Sequence, residues 1–228
     1  ANTTPQVRDL AEAREKIHVA PAEKLLAAGH NDYLDAVVDA MGDDHFILCG
    51  GVAGTLWMCH FWLGLFELLE AMILEPEVVD YINAKMLEQN IETIRQMAAS
   101  GGDAIYLDDA IATNDMISVK HFERWCLPSM IEMTKEVHRL GKKAILVYYG
   151  GVSDRIETIA EIGADALSVE ASNKGYINDI TDYAKRVGDR ITLFGNVDSV
   201  NVLQRGSDAT LVKEMKKQAD AGRLCKGF

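Results

Sequence analysis

The second half of the chain carries three short apolar runs, at residues 144–149 (AILVYY), 166–169 (ALSV) and 191–194 (ITLF). The apolar positions are continuous rather than alternating, which predicts parallel strands covered on both faces. Between the runs lie RIETIAEIG and YINDITDYAKRVG, with apolar residues at helical spacing and a terminal glycine suited to a helix C-terminus. The same alternation extends upstream. HFILCGG (45–51) and DAIYLDD (103–109) read as two further strands, each followed by helical sequence. Between residues 22 and 41 the positions Leu25, Leu26, Tyr33, Leu34, Val37, Val38 and Met41 recur at three and four, predicting one or two amphipathic helices with Gly29 as an interruption. The run GGVAGTLWMCHFWLGLFELLEAMIL approaches the length of a membrane span, but His60, Gly64, Glu67 and Glu70 break it, so a buried helix or helix pair is expected. Pro76 opens another helix in its permitted first-turn position, and the helical sequence VKHFERWCLPSMIEMTKEVHRLG is interrupted near Pro128. Residues 1–20 are polar and are expected on the surface.

Five strands each followed by a helix argue for an α/β fold with a parallel sheet and helices outside it. Polar residues collect at the C-terminal end of nearly every strand, and the glycine fingerprint of a dinucleotide-binding first turn is absent. Both features favour a (β/α)8 TIM barrel over an open doubly wound sheet. GGVAG at 50–54 matches a phosphate loop only loosely and identifies nothing by itself. Barrels of this kind have eight strands and run to about 250 residues, so the five strands read as an incomplete barrel segment over 42–228. Residues 1–41 form a polar segment and helices leading into it.

Composition narrows the partners. At 228 residues and 48% apolar the chain can bury a substantial core as one domain. Its net charge of −12 argues against nucleic acid and against an anionic membrane surface. Cys49, Cys59, Cys126 and Cys225 show neither CxxC nor HxC spacing, so no zinc knuckle or disulfide framework is expected. With no apolar signal core near residue 1, a cytoplasmic protein is expected.

The strand ends supply the candidate chemistry. Asp108 and Asp109 end a strand, where alternation sends one side chain into the barrel and the other toward the helices; the alternatives are a loop or cap hydrogen bond and a metal ligand or general acid with a shifted pKa. Glu170 follows LSV, where a carboxylate has little structural reason to be, and is the stronger site candidate and the one tentative metal ligand. Tyr148 and Tyr149 offer phenols to a leaving oxygen, with one of the two facing inward. Asn196 and Asp198, in GNVDS, lie where barrel enzymes place their chemistry, or else shape a tight turn. Cys59 and His60 are adjacent on a helix and cannot share a face, which favours a buried cysteine beside a satisfied histidine. Trp57 belongs to an aromatic stretch read as core or subunit interface, with a homodimer as one arrangement this allows; its wall could also touch an aromatic substrate or the edge of a corrin.

The order and spacing of GGVAGTLW, LEPEVV, GGDAIYLDDAIATNDMIS, FERWCLPSM, AILVYYGG, IGADALSVEAS and LFGNVDS resemble the uroporphyrinogen decarboxylase superfamily, which also contains cobalamin-linked methyltransferases. The resemblance covers roughly 42–228 and implies a (β/α)8 barrel with a deep site at the C-terminal strand ends. True decarboxylases carry GxPWTLxxY where this chain reads GVAGTLWMC, so their tyrosine position holds Cys59, carried here as a substrate-binding candidate with Trp57. Their many-carboxylate substrate needs several cations, and only Arg155 and Arg205 lie near the strand-end loops. Thiol-activating methyltransferases carry HxCG where this chain has Val147 and Tyr149, which puts a zinc-held thiolate in doubt. The Asp108-Asp109 pair and SVEASNKGY look most like the O-demethylase group. The resemblance therefore implies a corrinoid-dependent methyltransferase: a small methyl donor, such as an aryl methyl ether, and cobalamin on a partner corrinoid protein, with a divalent metal such as zinc left open. The alternatives are uroporphyrinogen decarboxylation and a non-catalytic ligand-binding barrel.

Overall fold

A computed structural model describes residues 4–172 and 175–228. Five parallel strands pair in chain order: β1 (Leu48–Ala53), β2 (Ala104–Asp109), β3 (Lys143–Tyr148), β4 (Ala166–Val169) and β5 (Thr192–Phe194). Such an arc, with each successive strand laid beside the last and helices between, is the arrangement of five of the eight strands of a (β/α)8 barrel.

The two faces of the arc differ. Ile105 and Leu107, Leu146, Leu167 and Leu193 point outward and are fully buried with the helices in the main core. The positions between them face the barrel lumen. There Ala104, Ile145 and Ala166, with Tyr106 and Val147 packed on them, form a separate small apolar cluster, the lumen floor. Continuous hydrophobicity in the sequence thus reflects burial on both faces.

The helices depart from the sequence expectation in instructive places. Residues 1–20 are not merely surface: Val7, Ala13 and Ile17 are buried in the main core, and α1 (Leu10–Lys16) begins at Asp9, whose carboxylate accepts the amide of Glu12. Three apolar residues among many polar ones are too sparse to show as a periodic pattern. The segment from 22 to 41 is two helices, α2 (Ala22–Ala27) and α3 (Asp32–Met41), separated by Gly29 at φ +81°. The first strand runs later than HFILCGG, with its register interrupted between Leu48 and Gly51.

The long apolar run folds as α4 (Thr55–Leu63) and α5 (Leu65–Leu74), bent by 106° where Gly64 takes φ +88°. Among the described residues no single helix is long and apolar enough to cross a membrane. Next come α6 (Pro76–Ala98), with proline in its first turn, and α7 (Val119–His121). The interruption expected near Pro128 takes the form of a wide π turn at Phe122–Cys126 leading into α8 (Leu127–Arg139), because proline has no amide to offer the ordinary ladder. The remaining helices are α9 (Ile156–Ala160), α10 (Ile180–Val187) and α11 (Asp208–Gly222).

Candidate active site

Strand register arranges the lumen side chains in rows. Gly51, Tyr106, Ile145, Ala166 and Thr192 pair across the sheet as the lower row. Ala53, Asp108, Val147, Ser168 and Phe194 form the row above it. One step beyond the ladder, where the amide of Glu170 donates to the carbonyl of Tyr148 at 3.2 Å, Tyr149, Glu170 and Asn196 form the rim. The Tyr106 ring lies over Gly51, where a Cβ would stand 2.1 Å from it. A side chain at position 51 would therefore displace that ring from the lumen wall.

Asp108 is the member of the aspartate pair that enters the lumen, and burial raises its pKa above the ordinary carboxylate range. The phenol of Tyr149 is also raised, first by partial burial and then by the negative groups Asp108 and Glu170 nearby. The Glu170 carboxylate accepts a hydrogen bond from the hydroxyl of Tyr176. Asn196 donates through Nδ2 to the carbonyl of Asn178 at 2.9 Å, and more weakly to that of Glu170 at 3.4 Å. Of the residues expected from sequence, Asp108, Tyr149, Glu170 and Asn196 thus share the strand-end face of one lumen.

Asp109, Tyr148 and Cys59 do not join them. Alternation turns Asp109 and Tyr148 to the helix side, where each is about 1% exposed. Asp109 Oδ1 accepts the amides of Ile111 at 3.0 Å and Ala112 at 3.2 Å, while Oδ2 is buried without a hydrogen-bond partner. Burial pushes this carboxyl up to about 7, the two amides and the nearby Cys126 thiol opposing the rise. Its carboxylate sits against Gly54, where a Cβ would fall 2.0 Å from Oδ2. The glycine that made GGVAG look like a phosphate loop therefore makes room for the protein's own carboxylate. Cys59 is fully buried in the core on α4, its thiol raised by burial and by Asp109. Trp57 is partly buried against that core. Asp198 is exposed: Oδ1 accepts the amides of Val200 and Asn201, each at 2.8 Å, which holds its carboxyl below the usual range and caps the turn Ser199–Gln204.

Two glycines interlock the loops over the lumen. A Cβ on Gly150 would approach Asp115 Oδ1 to 2.6 Å, and one on Gly151 would approach Asn114 Oδ1 to 2.1 Å. The pair lets the loop after β2 and the loop after β3 touch, and Asn114 donates its amide to the Gly151 carbonyl at 2.8 Å. Arg155 bolts the same loops together from behind. It is about 1% exposed, donates to the carbonyls of Ile117 at 2.9 Å and Ala112 at 3.3 Å, pairs with Asp154 and lies over the Phe122 ring. It is therefore not available to a substrate carboxylate.

Two residues of this network were not singled out from sequence. Asn178 donates to the carbonyls of Gly150 and Glu170 and accepts from the Val152 amide and the Tyr183 hydroxyl, while Tyr176 holds Glu170. Tyr176 closes SVEASNKGY, just past a predicted strand end, whereas Asn178 lies in YINDITDYAKRVG, which reads as helical and gives no sign of a site; Asn173 and Lys174 lie outside the described residues.

The lumen is a poor match for a metal ion. The positions that would supply histidine and cysteine hold Val147 and Tyr149, and among the described residues no three His, Cys, Asp or Glu side chains converge as a ligand set. The Glu170 carboxylate is engaged by the Tyr176 phenol.

A parallel β/α barrel with acid, phenol and amide tips converging at its C-terminal strand ends belongs to the class that places a substrate site there. Residues 2–226 match the model of the family described as Uroporphyrinogen decarboxylase (URO-D), and the chain belongs to that family. Its relatives include the methylcobamide:CoM methyltransferase MtbA of Methanosarcina acetivorans, 21% identical over 204 residues that cover 90% of this chain and 55% of the relative. The uroporphyrinogen decarboxylase of Coxiella burnetii is 27% identical over 172 residues, covering 70% of this chain and 45% of the relative. The chain thus spans about half the length of the curated relatives it matches. A solved methyltransferase from Methanosarcina mazei superposes with a TM-score of 0.73 at 21% identity, over 84% of this chain and 54% of the other, which fixes the fold.

Proposed function

We propose that this protein is a corrinoid-dependent methyltransferase, which holds a small methylated donor in the barrel lumen while the methyl group passes to a corrinoid on a partner protein. The observation that carries this reading is the lumen itself: its strand-end rows offer Asp108, Tyr149, Glu170 and Asn196 but no guanidinium, and Arg155 is committed to the Ala112 and Ile117 carbonyls. A substrate bearing many carboxylates has no cationic partners on these strands. The methylcobamide methyltransferases among the relatives support the same reading.

When bound, the corrinoid supplies a strongly nucleophilic reduced cobalt as methyl acceptor. The chain's own residues do the rest. Ile145, Ala166 and Val147 give the donor an apolar floor that excludes water. Asn196, held by Asn178, orients it from the rim. Where the leaving atom is oxygen, as in an aryl methyl ether, the Tyr149 phenol is the rim group able to donate a hydrogen bond to it.

Mixing the full-length protein with a reduced corrinoid protein and a panel of methyl donors should convert the corrinoid absorption spectrum to that of its methylated form. No conversion with any donor, together with carbon dioxide release from uroporphyrinogen, would instead establish the decarboxylase reading that the Coxiella relative keeps in view.

A further inference from the structure

We infer that the lumen is built for a cationic methyl donor, a quaternary methylammonium compound, with Asp108 as its counter-charge and the rings of Tyr106, Tyr149 and Phe194 as its walls. This rests on the methyl-transfer reading for the reaction and goes beyond it in naming the substrate class.

The argument begins with what stands at each lumen position. The upper rows read Ala53, Asp108, Val147, Ser168 and Phe194, then Tyr149, Glu170 and Asn196. Two of these are carboxylates, none is Lys, Arg or His, and two are aromatic, with Tyr106 directly below. Cations gather instead at the foot, where Lys143, Arg190 and Lys226 line a hollow with Ile145 and Thr192; Lys143 is engaged there by Asp165 at 2.8 Å. Asp108 has no ion pair among the described residues, although its carboxylate is half-buried, and a carboxylate so placed lacks the countercharge that would stabilise its anion. Strand register sets Tyr149, one step beyond β3, between Asp108 on β2 and Glu170 one step beyond β4, with Tyr106 below Asp108 on the same face. Tyr149 keeps 46% of its surface open, which leaves ring available to a ligand.

Aromatic faces beside a carboxylate recognise a methylated ammonium: the rings' negative faces attract its spread positive charge, and its methyl groups desolvate easily. A neutral ether gains nothing from Asp108, and an anionic donor is repelled by it. The chemistry follows suit. The N–CH3 bond breaks with its electron pair left on nitrogen, releasing a neutral tertiary amine, and the methyl group is taken by the electron pair of the reduced corrinoid. No proton is needed at the leaving atom, so Asp108 serves as an anion throughout.

Isothermal titration calorimetry on the full-length protein, without any corrinoid, tests the claim with choline, its uncharged carbon isostere 3,3-dimethylbutan-1-ol, and anisole. Choline should bind at least tenfold more tightly than either. Asp108→Asn should abolish that preference while leaving the isostere's affinity unchanged, and Tyr149→Leu should weaken choline severalfold. Equal affinities for choline and the isostere in the unmutated protein, or tighter binding of anisole, would overturn the inference without reference to any variant's folding. The two readings separate cleanly. Methyl transfer from anisole without charge-selective binding would leave methyl transfer standing and remove the ammonium preference, whereas charge-selective choline binding without methyl transfer to a corrinoid from any donor would do the reverse.

Discussion

Replacing Asp109 by asparagine isolates the effect of burying one carboxyl. In the folded protein the group is buried behind β2 with Oδ2 unpartnered, and its pKa stands near 7 against an ordinary 3.8. Because the folded state holds this proton more tightly than the unfolded chain, the stability it contributes is complete below pH ~4 and is lost as pH rises through about 7. About three powers of ten in proton affinity, at about 1.4 kcal/mol each, give a loss of ~4 kcal/mol across that window. Asparagine matches the protonated carboxyl in shape, keeps an oxygen for the amides of Ile111 and Ala112, and cannot ionise. The variant should therefore track the parent at pH 4 and exceed its stability by up to ~4 kcal/mol at pH 8. Urea unfolding at half-unit pH intervals between 4 and 8.5 measures this directly, provided both proteins unfold in a single transition. Parallel stability profiles for parent and variant would refute the reasoning, since they would mean that Asp109 titrates alike in both states.

Other substitutions probe the supports of the site. Gly54→Ala places a Cβ on Asp109 Oδ2 and should cost about 1–3 kcal/mol or more by overpacking, read as a lowered unfolding midpoint. Arg155→Met leaves the buried carbonyls of Ala112 and Ile117 short of donors and should cost roughly 2–4 kcal/mol, with faster proteolysis in the 110–118 loop. Asp198→Ala removes the cap on the Ser199–Gln204 turn and should cost about 1 kcal/mol in thermal unfolding. Gly151→Ala should part the two loops over the lumen, and amide exchange at Asn114, whose bond to the Gly151 carbonyl closes that contact, should quicken by tenfold or more.

Much of this protein was legible in its sequence because the relevant signals are local. Apolar runs of four to six residues between glycine-ended amphipathic segments sufficed to place five parallel strands, and strand-end positions pointed to Glu170, Asn196, Asp198 and the pairs Asp108-Asp109 and Tyr148-Tyr149. What sequence left undivided was each adjacent pair. Asp108 and Asp109, like Tyr148 and Tyr149, differ only in which face of the sheet they take, and a one-residue offset in register exchanges them. Only the packed structure decides that Asp108 and Tyr149 enter the lumen while Asp109 and Tyr148 go to the core. The same holds for Arg155 and Asn178, whose partners lie up to 43 residues away in the chain. Periodicity records which residues avoid water, but the partner of a buried polar group is chosen by the meeting of distant loops, which no local pattern encodes.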